Sequence, residues 1–350
     1  MQVKNIYLLL ALLFCFFLRV NAQKTDYSKG LLYFASYESS EDDLVKKNPY
    51  IIGAVRTIKW ANIEKKDGVY DWSSIDQFIA SWAKYKKKVV LRMQWVTSGY
   101  WKDPMSKTPT PEWVWEKGAK YAFHAPSQTE IPLFWDPIYQ HYALRFLSKI
   151  AERYDNNPNI LFIDITPGAE TNPYRFRSIN KKDPDFKKVF MNIESSNGCK
   201  YSEDLWKETI LEWLPKASGL FKKLPTEVAL NKGSLFDNNF ELFGNRAVEC
   251  GMYIGQNGLS GNRYSEKESA KVQLLSSWAK KTKIFFEMVG ATSKDVGSLK
   301  EVMDAAFRGK CSYLNVYAKD VLKGTKGFPE YDNTYEEALE YGNSLLKESY

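Results

Sequence analysis

Short apolar runs alternate with longer amphipathic stretches along this chain, and from residue 30 onward the alternation repeats about eight times. The candidate strands are GLLYFAS (30–36), GAVRTIKW (53–60), KVVLRMQW (88–95), ILFIDIT (160–166), EVALN (227–231), CGMYIG (250–255), KIFFEMV (283–289) and SYLNVYA (312–318). Most are continuous apolar runs, as expected of parallel strands buried on both faces. Between them lie helical patterns with one apolar stripe. DWSSIDQFIASWAKYKK places Ile75, Phe78, Ile79 and Trp82 on one face, and DPIYQHYALRFLSKIAERY does the same with Ile138, Tyr142, Phe146, Ile150 and Tyr154. Two later helices carry capping-box signatures, Ser265 with Glu268 and Ser298 with Glu301, and the second stops at Gly309.

Eight strand–helix units in a chain of 350 residues predict an α/β fold, a (β/α)8 TIM barrel in a single domain over residues 23–350. An open doubly wound sheet is the alternative, but no GxGxxG or GxxxxGK follows any strand, so a nucleotide-binding version has no support. Long inserts follow the third strand (96–135) and the fourth (167–203). Both open at the C-terminal mouth, the face on which such barrels build their active sites.

The first 22 residues have the layout of a cleaved signal peptide: Lys4, an apolar run from Ile6 to Leu18, and Ala22 before Gln23. The run is too short to span a membrane comfortably, and Phe14 before Cys15 argues against lipidation. A secreted or periplasmic protein is expected. Cleavage near Ala22 removes Lys4 and Arg19, leaving 47 bases against 42 acids, a net charge of +5. That mild excess, with no basic run interleaved with aromatics, gives no sign of a nucleic-acid partner. Three cysteines survive processing, Cys199, Cys250 and Cys311, with no CxxC spacing, so neither a zinc site nor a disulfide framework is indicated. The only histidines are His124 and His141, too few for a catalytic metal in such a barrel; no metal or other cofactor is expected. Aromatic residues reach 15%, with 11 Trp and 22 Tyr, and flat apolar sugar faces are natural partners for such rings.

In a barrel, the informative residues are polar groups at the C-terminal ends of strands. Glu170 follows the fourth strand and Glu287 interrupts IFFEMVG in the seventh. Strands three apart in a ring of eight face one another across the mouth. Two carboxyls placed there about 5 to 5.5 Å apart form the pair that a retaining glycosidase requires.

The stretches VRTIKWANIEKKDGVYDWSSIDQFIASW, VVLRMQW, PEWVW, IPLFWDPIYQHYALRFLSKIAERYDNNPNILFIDI and IFFEMVG resemble the barrels of clan A glycoside hydrolases, closest to family 42-type β-galactosidases and related bacterial glycosidases, over roughly residues 50 to 320. The resemblance implies a retaining hydrolase of a β-linked poly- or oligosaccharide, with Glu170 as general acid/base and Glu287 as nucleophile. Ala169 departs from the pattern, since most of the clan carries there an Asn that contacts the sugar 2-hydroxyl. Asn231, after the fifth strand, is the candidate to supply that contact. Further substrate-binding candidates are Arg56 and Arg92, for sugar hydroxyls, an acidic substituent or the nucleophile; Trp95 and Trp101, with Trp113, Trp115 and Trp135 nearby, for stacking; His124; Tyr253, for a hydrogen bond to the nucleophile; and Tyr317. Asp164, Glu38 and Asp320 are fallback carboxylates. Arg175, Arg177 and Lys232 near the same mouth suggest a sulfated or uronate-containing glycan. A sugar-binding barrel that has lost hydrolysis is the alternative function, and Ala169 motivates it.

Overall fold

A computed structural model describes residues 26–35, 42–96, 109–175, 179 and 183–348. Among the described residues ten strands form: β1 (Gly30–Phe34), β2 (Ile51–Lys59), β3 (Lys88–Gln94), β4 (Tyr121–His124), β5 (Thr129–Pro132), β6 (Ile160–Asp164), β7 (Thr226–Ala229), β8 (Tyr253–Leu259), β9 (Ile284–Met288) and β10 (Tyr313–Val316). Eight of them close a parallel barrel in the order β1-β10-β9-β8-β7-β6-β3-β2, and helices surround it. This is the predicted (β/α)8 barrel. β4 and β5 pair as an antiparallel hairpin within the insert that follows β3. The expected signal peptide, Glu38, Trp101 and Arg177 lie outside the described residues.

Alternation along the strands sorts side chains between two cores. Inside the barrel, Leu32, Val55, Val90, Phe162, Phe285 and Tyr313 form an apolar floor. Phe162 is its hub, with ring centroids 5.3 Å from Phe285, 5.4 Å from Tyr313 and 5.5 Å from Tyr253. Outside, Ala54, Ile58, Leu91, Met93 and Trp95 pack against the helices. The helix Ser73–Ala83 buries Ile75, Phe78, Ile79 and Trp82, the stripe read from its sequence. The helix Pro137–Tyr154 starts where Asp136 accepts hydrogen bonds from the amides of Ile138 and Tyr139, at 2.9 and 3.1 Å. Ser298 and Glu301 close their capping box at the head of Leu299–Arg308.

Two local expectations are corrected. Ser265 makes no side-chain cap: a 3-10 turn, Glu266–Glu268, precedes the helix Ser269–Ala279, and Glu268 accepts from the amide of Tyr264 instead. The sixth barrel strand runs Tyr253–Leu259 rather than 250–255, because the chain is still turning at Gly251, with φ +72°. Cys199, Cys250 and Cys311 are all free thiols.

Candidate active site

In-register neighbours on parallel strands point to the same side of the sheet, so the pairing lists which side chains meet above the apolar floor. On β2, Thr57 pairs with Arg92 of β3. Arg92 pairs with Asp164 of β6, and Asp164 with Glu227 of β7. On the other side, Asn257 of β8 pairs with Glu287 of β9, and Glu287 with Asn315 of β10. The result is a polar layer of charged and amide groups set on an aromatic base.

Arg92 joins the two halves of this layer. Its Nε donates to Asp164 Oδ2 at 3.1 Å and its Nη1 to Glu287 Oε2 at 2.5 Å. Burial works against the guanidinium charge, but Glu287 and Asp164 outweigh it and hold the group firmly charged. Asn315 Nδ2 donates to the same Glu287 Oε2 at 2.7 Å. Both donors therefore hold one oxygen, and among the described residues none takes Oε1. That leaves Glu287 with a fixed orientation and with Oε1 free of these donors.

Glu170 is presented by a tight turn. Ala169 and Asn172 exchange backbone hydrogen bonds at 2.8 and 3.1 Å, and the two residues between them, Glu170 and Thr171, have φ of +57° and +60°. Positive φ at both central positions is the type I′ arrangement, normally filled by Gly or Asn. Two ordinary side chains there cost about 1 kcal/mol each. The surroundings impose the shape: the Trp206 indole donates to the Thr171 carbonyl at 3.1 Å, the Asn231 amide to Thr171 Oγ1 at 3.3 Å, and the Gly233 amide to Asn172 Oδ1 at 2.9 Å. Gly168, at φ +67°, lets the chain enter this turn: a β-carbon there would stand 2.3 Å from the Asn172 carbonyl oxygen.

The Glu170 carboxyl is mostly enclosed and fully engaged. Asn231 Nδ2 donates to Oε2 at 3.0 Å, and Arg175 Nη2 pairs with Oε1 at 2.9 Å. Burial pushes this carboxyl up, but the Arg175 charge, with hydrogen bonds from Asn257 and Asn231, more than reverses that and holds it below the usual glutamate range. Asn257 thus lies near enough to act on Glu170 and stands in register with Glu287. Tyr317 completes this side: burial and the Glu287 charge push its hydroxyl up, and its ring meets Phe34 edge-on at 5.5 Å. Phe34 closes β1 at the mouth, with the Arg92 guanidinium 5.9 Å from its centroid.

Glu170, Glu287, Arg92, Asn231 and Tyr317 are therefore brought together, and other candidates are not. Arg56 pairs in register with Leu91, on the outer face, and lies over the Phe78 ring at 5.2 Å. It faces the helices one residue away from the interior position, Thr57. Trp95 is likewise outside, enclosed edge-on by Trp60, Phe134 and Trp213. Trp113 and Trp135 are buried in the same helix-side aromatic core, and Trp115 packs on Tyr139. His124 is fully buried in the β4–β5 hairpin, against Ser127 and edge-on to Phe186. Tyr253 opens β8 rather than ending it and belongs to the floor. Asp320 is a structural acceptor for the amide and hydroxyl of Thr292, at 2.9 and 2.8 Å. Asp164 is the partner of Arg92. Among the described residues no group of His, Cys, Asp and Glu is placed to hold a metal ion, and no helix is long and apolar enough to cross a membrane.

The sequence reading missed Asn257, Asn315, Phe34 and Glu227. Each had a signal: a polar or aromatic residue at the two-residue spacing of the inward positions, such as Leu32 then Phe34, or Tyr313 then Asn315.

The family model of beta-galactosidase, glycoside hydrolase family 42, matches residues 40–213. The chain is a barrel similar to those of clan A glycoside hydrolases. Glu170, Arg92 and Asp164 lie inside the match, and Glu287 lies beyond it. Solved β-galactosidases share the fold. The enzyme from the psychrophilic Marinomonas ef1 superposes with a TM-score of 0.53 at 11% identity, over 90% of this chain and 59% of its own. That from the Antarctic haloarchaeon Halorubrum lacusprofundi gives 0.53 at 12%, over 90% and 57%. The cold-adapted enzyme from Rahnella sp. R3 gives 0.54 at 10%, over 93% and 57%. This chain thus spans less than three fifths of these enzymes. No curated protein sequence matches it.

Proposed function

We propose that this protein is a retaining glycoside hydrolase acting on a β-linked poly- or oligosaccharide, with Glu170 as acid/base and Glu287 as nucleophile. The observation that supports this most is the placement of both glutamates around one polar layer above a closed apolar floor: Glu287 is paired with Arg92 and in register with Asn257, and Glu170 feels the charge of the same Arg92.

Glu287 Oε1 attacks the anomeric carbon, forming a glycosyl ester, while Glu170 gives its proton to the departing oxygen. Glu170, now ionised, takes a proton from water as that water attacks the ester. Sugar is released, and both carboxyls return to their starting states. Arg92 and Asn315 hold the free Glu287 as an oriented anion before attack and again once the ester is cleaved. Phe34 and Tyr317 supply the apolar wall against which a sugar ring can rest. Asn231, bound to Glu170, is the group nearest to the role that Ala169 cannot play.

An acidic or sulfated glycan fits the site through Arg175, whose side chain is 47% exposed. An anionic substituent beside the leaving group competes with Glu170 for that guanidinium. Lys232 contributes less, since its ammonium is taken by the Phe236 carbonyl.

A second reading, a barrel that binds sugar without cleaving it, draws support from the same ion pair, because Arg175 keeps the acid/base without its proton. A screen of aryl glycosides and polysaccharides, β-galactosides first, separates the two. Turnover that disappears in both Glu170→Gln and Glu287→Gln supports the hydrolase; binding without turnover across the panel supports the second reading. Comparison of neutral and acidic versions of one backbone tests the substituent, and equal rates would remove it.

A further inference from the structure

Glu227 has no part in the chemistry above, yet it lies inside the barrel, fully buried, on the strand between those of Asp164 and Asn257. Neither of its carboxyl oxygens has a hydrogen-bond partner among the described residues when the group is treated as an acceptor. Its room is made by Gly255 on β8, where a β-carbon would stand 1.6 Å from Glu227 Oε1. The groups that face it are Asp164 from β6, Arg92 from β3, Glu287 from β9 and, in register on β8, Tyr253.

Charge in this layer does not balance if every acid is ionised. Three carboxylates, Asp164, Glu227 and Glu287, would then share one guanidinium. Asp164 is equipped to be an anion: beyond Arg92 it accepts from the Thr166 amide at 2.9 Å and from the Thr166 hydroxyl. Glu287 has Arg92 and Asn315. Glu227 has no donor among the described residues, and an ionised carboxylate buried without donors is strongly disfavoured. As a carboxylic acid it gains a donor of its own, and the acceptor in reach is Asp164.

We propose that Glu227 is a neutral carboxylic acid whose O–H donates to Asp164, and that this bond makes it a positioning residue, fixing how Arg92 is shared between Asp164 and Glu287. Burial and the charges of Asp164 and Glu287 push its carboxyl well above the usual range, against the opposing pull of Arg92. The positioning role rests on the hydrolase reading; the protonation does not.

Infrared spectroscopy of the wild-type chain with 13C-labelled glutamate tests the protonation without a substitution or a substrate. A protonated-carboxyl band at neutral pH that Glu227→Gln removes is the expected result, and its absence from the wild type overturns the proposal. Kinetics test the positioning. Glu227→Gln keeps a donor to Asp164 and the neutral charge, so its kcat, KM and the acid limb of its pH profile should match wild type. Glu227→Leu removes the donor and should lower kcat about tenfold, the loss of one hydrogen bond, with KM little changed. Equal losses in the two variants, or a moved acid limb in Glu227→Gln, would show that Glu227 acts as an anion and sink the idea. If no substrate is ever turned over while the band is present, the hydrolase reading fails and the neutral acid stands.

Discussion

Arg175 Nη2 lies 2.9 Å from Glu170 Oε1, so the residue proposed to deliver a proton is paired with a cation that favours its loss. Burial alone would raise this carboxyl, yet Arg175, Asn257 and Asn231 hold it low. A general acid works only while protonated, so its activity falls as pH rises through its pKa. Arg175→Met therefore moves the alkaline limb of kcat/KM to higher pH. The half-exposed setting of Arg175 keeps this effect modest and salt-dependent. A pH profile at two ionic strengths reads it, and an unmoved limb would show that the pair breaks before proton transfer.

The two glutamates separate by chemical rescue. On the proposed mechanism Glu287→Ala has no nucleophile, and external azide attacking from its side gives a glycosyl azide of inverted configuration. Glu170→Ala keeps the nucleophile, so azide intercepts the glycosyl ester and the product retains configuration. Before rescue, each variant should lose about 100-fold or more in kcat on unactivated substrates. The anomeric configuration of the azide product, read by NMR, checks the assignment, and exchanged outcomes would reverse the roles.

How much of this was legible in the sequence turns on one or two residues at a time. Eight apolar runs were enough to expect a barrel, because strands buried on both faces leave a pattern that no surface requirement interrupts. Glu170 and Glu287 stood out because one carboxylate broke an apolar run and another followed one. Arg56 and Arg92 looked equivalent, since a strand buried on both faces gives no polar side by which to tell inward from outward; register decides, and Arg56 is one residue off. Trp95 failed for the same reason. Tyr253 was displaced by a strand boundary: the turn through Gly251 delays β8, which puts Asn257 where Tyr253 was expected to be. The Arg175 pairing with Glu170 depends on how a loop folds back on its own turn, and no periodicity encodes that.

Arg92 is the group whose loss should be felt most widely. Arg92→Met leaves Glu287 and Asp164 buried without their shared cation, a change that costs about 3–5 kcal/mol when one partner of a buried pair is removed. Urea unfolding should show that loss, and kcat should fall with it because Glu287 is no longer oriented. A variant of unchanged stability would mean that the layer is hydrated well enough to do without the guanidinium.

Gly255 and Glu227 should be coupled. Gly255→Ala drives a methyl group into the Glu227 carboxyl and should destabilise by about 1–3 kcal/mol, the usual cost of overpacking. Glu227→Ala alone removes the carboxyl and leaves a gap beside Gly255. In the double variant the new methyl group enters that gap, so the combined loss should be smaller than the sum of the single losses. Chemical denaturation of the four proteins measures this, and strict additivity would mean that the carboxyl does not occupy the space beside Gly255.

The folded-state carboxyl of Glu227 is raised, so between the unfolded glutamate pKa and its own, the folded chain keeps a proton that the unfolded chain has released. Folded protein then binds more protons than unfolded, and stability falls as pH rises through that window. Asp164, also raised by burial against the pull of Arg92 and Thr166, contributes with the same sign. Glu227→Gln deletes only the Glu227 part, because its amide is neutral in both states. Relative to wild type, the variant should therefore gain thermal stability between acidic and neutral pH, with the two melting temperatures closest at the acidic end. Melting curves across that range settle the sign. A variant that instead loses ground as pH rises would place an ionised, stabilising carboxylate at Glu227.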